Sequence, residues 1–232
     1  MNLCVIPARG GSKRIPHKNI KKFNGKPIIA YSIEAAIKSN CFSKIIVSTD
    51  DMQIAKIAKK YGAEVPFIRP EGLSNDYIGT SPVMQHAIQW AEDNNYIFEC
   101  VCCLYATAPF ITSKLLLEAY KQFKVSNSEY CFSVTSYTFP IQRALRVIED
   151  SKVSMFYPEN YSKRSQDLEE AYHDAGQFYW GSYQAYKTEL PFFSEHSSPF
   201  ILPRYLVQDI DTEEDWIRAE AMFQVLEMTH KI

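Results

Sequence analysis

The sequence predicts a single α/β domain, residues 1–232, built on a doubly wound and mostly parallel β-sheet. Strand and helix patterns alternate through the first 136 residues, and a length of 232 residues suits one domain of this kind. Such alternation implies right-handed βαβ units with helices on both faces of the sheet. Ligands of these folds bind beyond the carboxyl ends of the strands, so the turns that follow strands should carry the chemistry.

Five strands and four helices are predicted in the alternating part of the chain. Apolar or β-branched runs between turn residues predict strands over 3–6, 44–49, 64–68, 98–104 and 130–136. Apolar residues at helical spacing predict helices over 27–39, 51–61, 81–92 and 112–123. Pro27 and Pro82 suit first helical turns, and Gly62 suits a helix end.

The pattern changes after residue 136. Residues 137–172 are irregular and rich in aromatic side chains, and so long a stretch in a compact domain is usually functional or packed on another surface. We expect a subunit contact there, the alternative being an insertion packed on its own domain. Aromatic strand patterns follow over 177–186 and 200–203. Thr212 and Asp215 then form a capping box, which predicts a helix running to about residue 228.

Composition excludes several classes of protein. The formal net charge of -2 argues against general nucleic-acid binding. No run approaches the roughly 18 apolar residues of a membrane span, and no signal-peptide layout is present, so a cytoplasmic protein is expected. The six cysteines include a CxxC at Cys100 and Cys103. Side chains three apart on a strand point to opposite faces, which favours buried thiols over a metal site.

The turn after the first strand, residues 7–19, concentrates positive charge. This glycine turn reads PARGGSKRIPHKN and carries Arg9, Lys13, Arg14 and Lys18 around two adjacent glycines. Glycines let backbone N–H groups approach an anion closely, and Arg and Lys neutralise a polyphosphate. The spacing matches neither the GxGxxG dinucleotide fingerprint nor the Walker pattern. A solvated basic turn is the alternative, which the glycines and the charge density disfavour.

A pair of acids near the C-terminus predicts a metal site. Asp209 and Asp211 are two residues apart at the end of a predicted strand, so their carboxylates should share one face. Two such oxygen ligands can hold one Mg²⁺ together with waters and nucleotide phosphates. Acids favoured at a helix start are the alternative, but that explanation suits residues 213–215 better than a pair that precedes the cap.

A cationic turn and an acid pair at one edge of a sheet indicate nucleotidyl transfer. An oxygen nucleophile would attack the α-phosphate of a nucleoside triphosphate and release pyrophosphate, with catalysis by positioning and charge stabilisation. We expect Arg9, Ser12, Lys13 and Lys18 to hold the triphosphate. A Mg²⁺ ion on the acid pair would ease deprotonation of the attacking hydroxyl.

These motifs resemble those of the CMP-sialic acid synthetase (acylneuraminate cytidylyltransferase) family, which joins a nine-carbon acid sugar to CMP using CTP. The resemblance covers nearly the whole chain: the glycine turn, Arg69-Pro70 with Asp76 and Thr80, segments 164–168 and 174–179, and the run DIDTEED at 209–215. It implies CTP, a nonulosonic acid and Mg²⁺ as ligands. It also implies a homodimer that exchanges residues 137–172 as an arm, with Arg164 reaching the partner's sugar site.

Together, the pattern and the resemblance assign residues to roles. The catalytic residues expected are Arg9, Lys18 and Asp211, and the metal ligands expected are Asp209 and Asp211. The nucleotide-binding residues expected are Ala8, Arg9, Gly10, Gly11, Ser12, Lys13, Lys18, Asn19, Arg69 and Thr80. The sugar-binding residues expected are Tyr105, Thr107, Arg164, Gln166, Asp174, Gln177 and Tyr179.

The sugar side departs from the usual pattern of the family. Residues 105–109 read Tyr-Ala-Thr-Ala-Pro where sialate synthetases typically have Gln-Pro-Thr-Ser-Pro, and Ala175-Gly176 replaces an Asn-Gly pair. These changes resemble the branch that activates pseudaminic acid, a nonulosonate of bacterial surface glycans and flagellins. The aromatic run 178–180 is expected to line the pocket and to suit the less polar tail of that sugar. Activation of N-acetylneuraminic or legionaminic acid is the alternative.

Two further classes of function stay open at this point. One is a nucleotide-sugar-binding protein without turnover, against which the intact acid pair and Lys18 argue. The other is a glycosyltransferase that holds a finished nucleotide sugar with its acid pair. That pair would be expected in the middle of such a chain, whereas Asp209 and Asp211 lie near its end.

Overall fold

A computed structural model describes residues 1–232 and confirms the doubly wound α/β architecture. The strands are β1 Asn2–Pro7, β2 Lys22–Phe23, β3 Lys26–Pro27, β4 Lys44–Ser48, β5 Cys100–Leu104, β6 Tyr130–Ser136, β7 Leu145–Val147, β8 Val153–Met155, β9 Tyr172–Ser182 and β10 Ser197–Ile201. The helices are α1 Ile28–Ser39, α2 Met52–Lys60, α3 Thr80–Asp93, α4 Ser113–Val125, α5 Tyr183–Lys187 and α6 Glu213–Met228. No helix combines the length and apolar character needed to cross a membrane.

The central sheet has six strands in the order β10-β6-β9-β5-β1-β4. Strand β1 runs parallel to both β4 and β5, and β10 runs parallel to β6. The exception is β9, which is antiparallel to its neighbours β5 and β6. Since the carboxyl ends of β1, β4 and β5 lie at one edge, the glycine turn meets the turns after Ser48 and Leu104 there.

Helices cover both faces of the sheet, each over its own apolar core. One core contains side chains of α1, α2 and α4, and the other contains side chains of α3 and α5. A third cluster packs α6 against Phe23, Ile28 and Phe110. The cysteines follow this division, because Cys100 packs in the first core and Cys103 in the second. Their packing in separate cores confirms the prediction that the two cysteines of the CxxC do not share one face. All six thiols are free.

The strand predicted over 64–68 is wrong. This segment does run beside β4, since the Val47 N–H donates to the Glu64 carbonyl and the Glu64 N–H donates to the Ile45 carbonyl, both at 2.8 Å. The pairing stops there as an isolated bridge. Pro66 has no N–H to donate, which explains why the ladder does not continue.

The boundaries after residue 136 also differ from the prediction. The strand expected over 177–186 begins earlier, at Tyr172, and ends at Ser182. Its second half is the helix α5 instead, because the Ser182 side chain accepts a hydrogen bond from the Ala185 N–H at 3.0 Å and caps that helix. The strand expected over 200–203 is β10 and ends at Ile201. The predicted capping box of α6 is confirmed.

Residues 137–171 form an arm with little regular structure. It contains the short hairpin of β7 and β8 and several single turns. Many of its apolar side chains face solvent, with Phe139, Val147 and Tyr161 between 77% and 79% exposed. The arm therefore presents an apolar surface that the single chain does not cover.

Candidate active site

One hydrogen bond ties the glycine turn to the turn after β4, and a second closes the glycine turn on itself. The Gly10 N–H donates to Asp50 at 2.9 Å, and the Asn19 side chain donates to the Arg9 carbonyl at 2.9 Å. A Cβ atom on Gly10 would lie 2.7 Å from the carboxylate of Asp51, which caps α2. Glycine is therefore required at position 10 by close approach, and its N–H is already occupied by Asp50.

A cavity of about 550 Å³ opens between the glycine turn and the segment from Arg69 to Val83. We call it the nucleotide cavity. Of the expected nucleotide-binding residues, Arg9, Ser12, Lys13, Lys18, Asn19, Arg69 and Thr80 line it. Ala8, Gly10 and Gly11 do not, because Ala8 is buried in the core and the glycines shape the backbone of the turn.

Two carboxylates hold the four cations of the glycine turn. Asp76 accepts from Arg9 at 2.6 Å and also pairs with Lys13. These two cations lower the pKa of Asp76 below its usual range. On the opposite side, one oxygen of Asp211 lies 2.9 Å from Arg14 and the other lies 3.4 Å from Lys18. In each of the four ion pairs at least one of the two side chains is 34% or more exposed. Such exposed pairs are weak, so a polyphosphate could compete for these cations.

Arg69 is a buried cation at the base of the nucleotide cavity. It is 4% exposed and donates to the Ser48 carbonyl at 3.3 Å and to the Ser74 hydroxyl at 3.1 Å. Burial lowers its pKa, and the charge of Asp50, 3.7 Å away, opposes that shift. Asp50 thus contacts both Arg69 and the backbone of Gly10, which links the two walls of the cavity.

A second cavity of about 570 Å³ adjoins the first, and Tyr105 and Thr107 line both. Its lining includes five of the expected sugar-binding residues, Tyr105, Thr107, Asp174, Gln177 and Tyr179. The Tyr105 hydroxyl lies 3.2 Å from the hydroxyl of Thr80, and the Tyr179 hydroxyl donates to Asp174. Burial, the neighbouring Tyr105 and the contact with Asp174 all raise the pKa of Tyr179, so it stays a hydrogen-bond donor at neutral pH. The expectation that the whole aromatic run 178–180 lines the pocket is wrong for Phe178 and Trp180, because both are fully buried in the core.

Gln177 lines the second cavity and carries a buried, unpaired acceptor. Its side-chain nitrogen donates to the Leu206 carbonyl at 2.6 Å, which fixes the orientation of the amide. The residue is 4% exposed, and its Oε1 atom has no hydrogen-bond partner. An unsatisfied buried acceptor is costly, so this oxygen marks the one unpaired polar atom of Gln177 behind the wall of the cavity.

The acid pair lies where the two cavities meet. Asp211 lines the nucleotide cavity, and Asp209 lines the second cavity. The expectation that a strand carries them is wrong, because β10 ends at Ile201 and the pair follows a turn at Arg204–Leu206. Asp209 is exposed as a residue. Partial burial of its carboxyl and the charge of Asp211 nevertheless raise its pKa.

The donor set at this junction fits a hard divalent cation. No cluster of three or more His, Cys, Asp or Glu side chains that could hold a metal occurs in residues 1–232. Two carboxylates alone do not make an all-protein cage. They do match Mg²⁺, which commonly takes one or two carboxylates and completes its shell with waters and substrate phosphates.

Arg164 and Gln166 lie outside both cavities of the single chain. Arg164 pairs with Asp167 at 3.2 Å in the arm, and Gln166 lines a shallow groove formed by the arm itself. The fold of one chain therefore does not bring these two residues to the other expected sugar-binding residues.

Sequence reasoning missed three charged residues of this region. The sequence indicated no individual role for Asp76, which belongs to a motif, or for Arg14, which belongs to the basic turn, although both line the nucleotide cavity. It gave no indication of Arg204, which lines the second cavity. The charge density of the turn could have identified Arg14. No sequence signal links Arg204 to the second cavity, because that link depends on how the segment before Asp209 folds back.

Comparison with known proteins agrees with this geometry. The profile of the family described as Cytidylyltransferase matches residues 3–228. The chain is 50% identical to a pseudaminic acid cytidylyltransferase of Campylobacter jejuni, over 97% of each chain. It is 34% identical to an N-acylneuraminate cytidylyltransferase of Escherichia coli, over 92% of this chain and 50% of that protein.

The fold resembles that of solved nucleotidyltransferases. A CMP:2-keto-3-deoxy-manno-octonic acid synthetase complexed with CTP superposes with a TM-score of 0.68 at 15% identity, covering 100% of this chain and 99% of that one. A 4-diphosphocytidyl-2C-methyl-D-erythritol synthase of Anaerococcus prevotii superposes with a TM-score of 0.65 at 14% identity, covering 96% and 98%. The fold, the paired cavities and the family profile lead to one conclusion: the chain belongs to the cytidylyltransferase family.

Proposed function

We propose that this protein transfers the cytidylyl group of CTP to pseudaminic acid, giving the CMP-sugar and pyrophosphate. The observation that carries the proposal is the pair of adjoining cavities with Asp211 in one and Asp209 in the other. One cavity is rich in cations and suits a triphosphate, and the other has a polar and aromatic lining that suits a sugar. Sequence identity of 50% to a pseudaminic acid cytidylyltransferase, over 97% of each chain, supports the choice of sugar.

The side chains of the nucleotide cavity would bind and orient CTP. Arg9, Lys13 and Lys18 would exchange their carboxylate partners for phosphate oxygens, and Ser12 would donate a hydroxyl hydrogen bond. Arg69 and Thr80, on the far wall, would hold the nucleoside end. Such fixed cations stabilise the charge that develops as the bond between the α-phosphate and pyrophosphate breaks.

The second cavity would hold the sugar so that its anomeric hydroxyl faces the α-phosphate. The hydroxyl oxygen forms the new bond to phosphorus, its proton passes to water, and pyrophosphate leaves with the electrons of the broken bond. Asp174, Gln177 and Tyr179 would orient the ring by hydrogen bonds from the wall of the cavity. A Mg²⁺ ion held by Asp209 and Asp211 would supply Lewis-acid activation of the hydroxyl and neutralise phosphate charge.

We further propose a homodimer formed through the arm, with Arg164 of each chain reaching the sugar site of the other. The exposed apolar side chains of the arm support this arrangement, because a surface of that kind favours a subunit contact. The position of Arg164 outside both cavities of its own chain is consistent with action on a partner.

The test is a pyrophosphate-release assay with four nucleoside triphosphates against pseudaminic, N-acetylneuraminic and legionaminic acids. Release with CTP and pseudaminic acid is the expected result. Release only with one of the other two acids would contradict the choice of sugar. Binding of CTP without release with any acid would instead indicate a binding protein. A separate assay in which a finished CMP-sugar gives its sugar to an acceptor and releases CMP would indicate a glycosyltransferase.

A further inference from the structure

Arg204 is an unpaired cation at the second cavity. It lines that cavity, yet its guanidinium has no ion pair and no side-chain hydrogen bond within the chain. The four cations of the glycine turn differ, since each of them contacts Asp76 or Asp211. A guanidinium is always charged at neutral pH, so Arg204 offers the second cavity a permanent positive charge.

The backbone that carries Arg204 is held at both of its ends. Arg204–Leu206 is a single turn that follows the buried Leu202 and ends at the buried Leu206. Before it, the Thr135 hydroxyl donates to the Leu202 carbonyl at 2.9 Å. After it, the Gln177 amide donates to the Leu206 carbonyl at 2.6 Å. Arg204 therefore starts from a fixed point of the cavity wall, although its side chain is long.

The other ionisable groups of this cavity are mostly acidic. Asp174 and Asp209 line it, and the remaining basic candidate is His173. A ring nitrogen of His173 lies 2.9 Å from the carbonyl oxygen of Asp174, so that nitrogen is already occupied. An anionic ligand placed here faces two carboxylates, and the guanidinium of Arg204 is the one permanent positive charge that the wall of the cavity supplies.

The proposed substrate brings an anion to this place. In a nonulosonic acid the carboxylate is bonded to the same anomeric carbon that bears the attacking hydroxyl. When that hydroxyl faces the α-phosphate beside Asp211, the carboxylate must lie close to the junction of the two cavities. Arg204 and Asp209 both line the second cavity, so the guanidinium and the acid pair face the same ligand. A planar guanidinium matches a carboxylate with two parallel hydrogen bonds.

We propose that Arg204 binds the carboxylate of the sugar and so selects acidic sugars, an inference that rests on the proposed function. This role belongs to the chain that also supplies Asp209 and Asp211, in contrast to the role proposed for Arg164 across the dimer. Arg204 is thus a specificity-determining residue whose contact with the substrate is direct.

The first test is steady-state kinetics of Arg204→Gln, which removes the charge and keeps a shorter polar side chain. We expect KM for the sugar to rise by about tenfold or more while KM for CTP stays within about twofold, as for loss of a charged hydrogen bond to one substrate. Arg204→Lys should recover part of the loss. The control is Arg218→Gln, because Arg218 is an exposed arginine of α6 that pairs with Glu214 and lines neither cavity.

The second test compares the free acid with the methyl ester of its carboxyl group. Wild-type protein should discriminate strongly against the ester, whereas Arg204→Gln should turn over both at nearly the same low efficiency. Equal discrimination in both proteins, or an unchanged KM for the acid in Arg204→Gln, would overturn the role of Arg204 while leaving the proposed function intact. Failure of the wild-type protein to release pyrophosphate with any nonulosonic acid would overturn the proposed function itself.

Discussion

Arg14 and Asp211 form an ion pair in which a guanidinium nitrogen lies 2.9 Å from one carboxylate oxygen, and Lys18 lies 3.4 Å from the other. The acid proposed to hold the metal is therefore held, in the free protein, by two cations of the glycine turn. A divalent cation has to compete with Arg14 for the same oxygen. Binding of a triphosphate offers Arg14 another partner and would free the carboxylate for the metal.

Replacement of Arg14 by Gln should strengthen metal binding in the absence of CTP. The Arg14 side chain is 67% exposed, and exposed ion pairs contribute at most about 1 kcal/mol, so we expect a gain of no more than about fivefold. Titration with Mn²⁺, followed by electron paramagnetic resonance, measures this affinity directly. Arg218→Gln controls for the change in net charge, and equal or weaker binding in Arg14→Gln would contradict competition for Asp211.

Replacement of Asp211 by Asn should remove most turnover while CTP binding stays detectable. The amide keeps the shape of the side chain but loses the charge that a metal ligand needs, and the metal contributes most as charge develops at the α-phosphate. Turnover with CTP and calorimetric CTP binding are the two measurements. Glu214→Gln is the matched control, an exposed acid nearby that contacts Arg218. Full activity of Asp211→Asn at saturating Mg²⁺ would exclude the metal role.

Replacement of Lys18 by Ala should lower kcat/KM by about a hundredfold or more, as for loss of about 3 kcal/mol of charge stabilisation. The Lys18 side chain is 21% exposed, and it also donates to the Ile210 carbonyl at 2.7 Å, between the two acids. The variant would thus lose the proposed phosphate contact and a support of the acid pair. Lys22, exposed on β2, provides the control in Lys22→Ala. A fall in kcat/KM of less than tenfold would contradict a direct role of Lys18 in catalysis.

Polar substitutions in the arm should produce monomers. Phe139 and Val147 are 79% and 77% exposed, so Phe139→Ser with Val147→Ser should weaken an apolar contact without disturbing the core. Sedimentation at low micromolar concentration measures the change. Ile97→Ser is the control, because Ile97 is 81% exposed but lies outside the arm. A wild-type protein that is a fully active monomer under these conditions would contradict the proposed dimer.

The same dimer allows a complementation experiment on Arg164. Arg164→Ala and Asp211→Asn should each be nearly inactive alone. If Arg164 acts on the partner's site, a mixed dimer has one site with both changes and one intact site, so an equal mixture should recover about a quarter of wild-type activity. Mixing that recovers nothing would show that Arg164 does not act across the interface.

The first half of the fold could be read from the sequence because local signals there agree with the tertiary structure. The structure contains the elements that these signals predicted. The signals are the apolar run before the glycine turn, the capping residues and the prolines at helix starts. The failure at 64–68 has a local cause, Pro66, which the apolar pattern concealed. The helix α5 was missed because the aromatic pattern of residues 177–186 outweighed the capping residue Ser182.

The sequence could predict which residues form the candidate site, but not which of them contact each other. Charge density identified the glycine turn, and spacing identified Asp209 and Asp211. Arg14 and Asp211 are 197 positions apart in the 232-residue chain. The periodicity of a sequence describes local structure and cannot predict a contact between such distant residues. The pairing of Gln177 with Leu206, which carries Arg204 to the second cavity, depends likewise on the packing of β9 against the segment after β10.

The lining of the second cavity favours a less polar sugar than N-acetylneuraminic acid. The rings of Tyr105 and Tyr179 lie 5.5 Å apart, and a small side pocket next to them is lined by Phe192 and Phe193. Pseudaminic acid carries a second acylamino group and a terminal methyl where sialic acid has hydroxyls. A sialate hydroxyl left unpaired there would cost about 1–3 kcal/mol, or roughly ten- to a hundredfold in specificity.

The most direct test of the account is the ratio of kcat/KM for pseudaminic acid to that for N-acetylneuraminic acid, measured with CTP and Mg²⁺. We predict a ratio of about ten or more in favour of pseudaminic acid. A ratio near one, or one that favours N-acetylneuraminic acid, would contradict the proposed function.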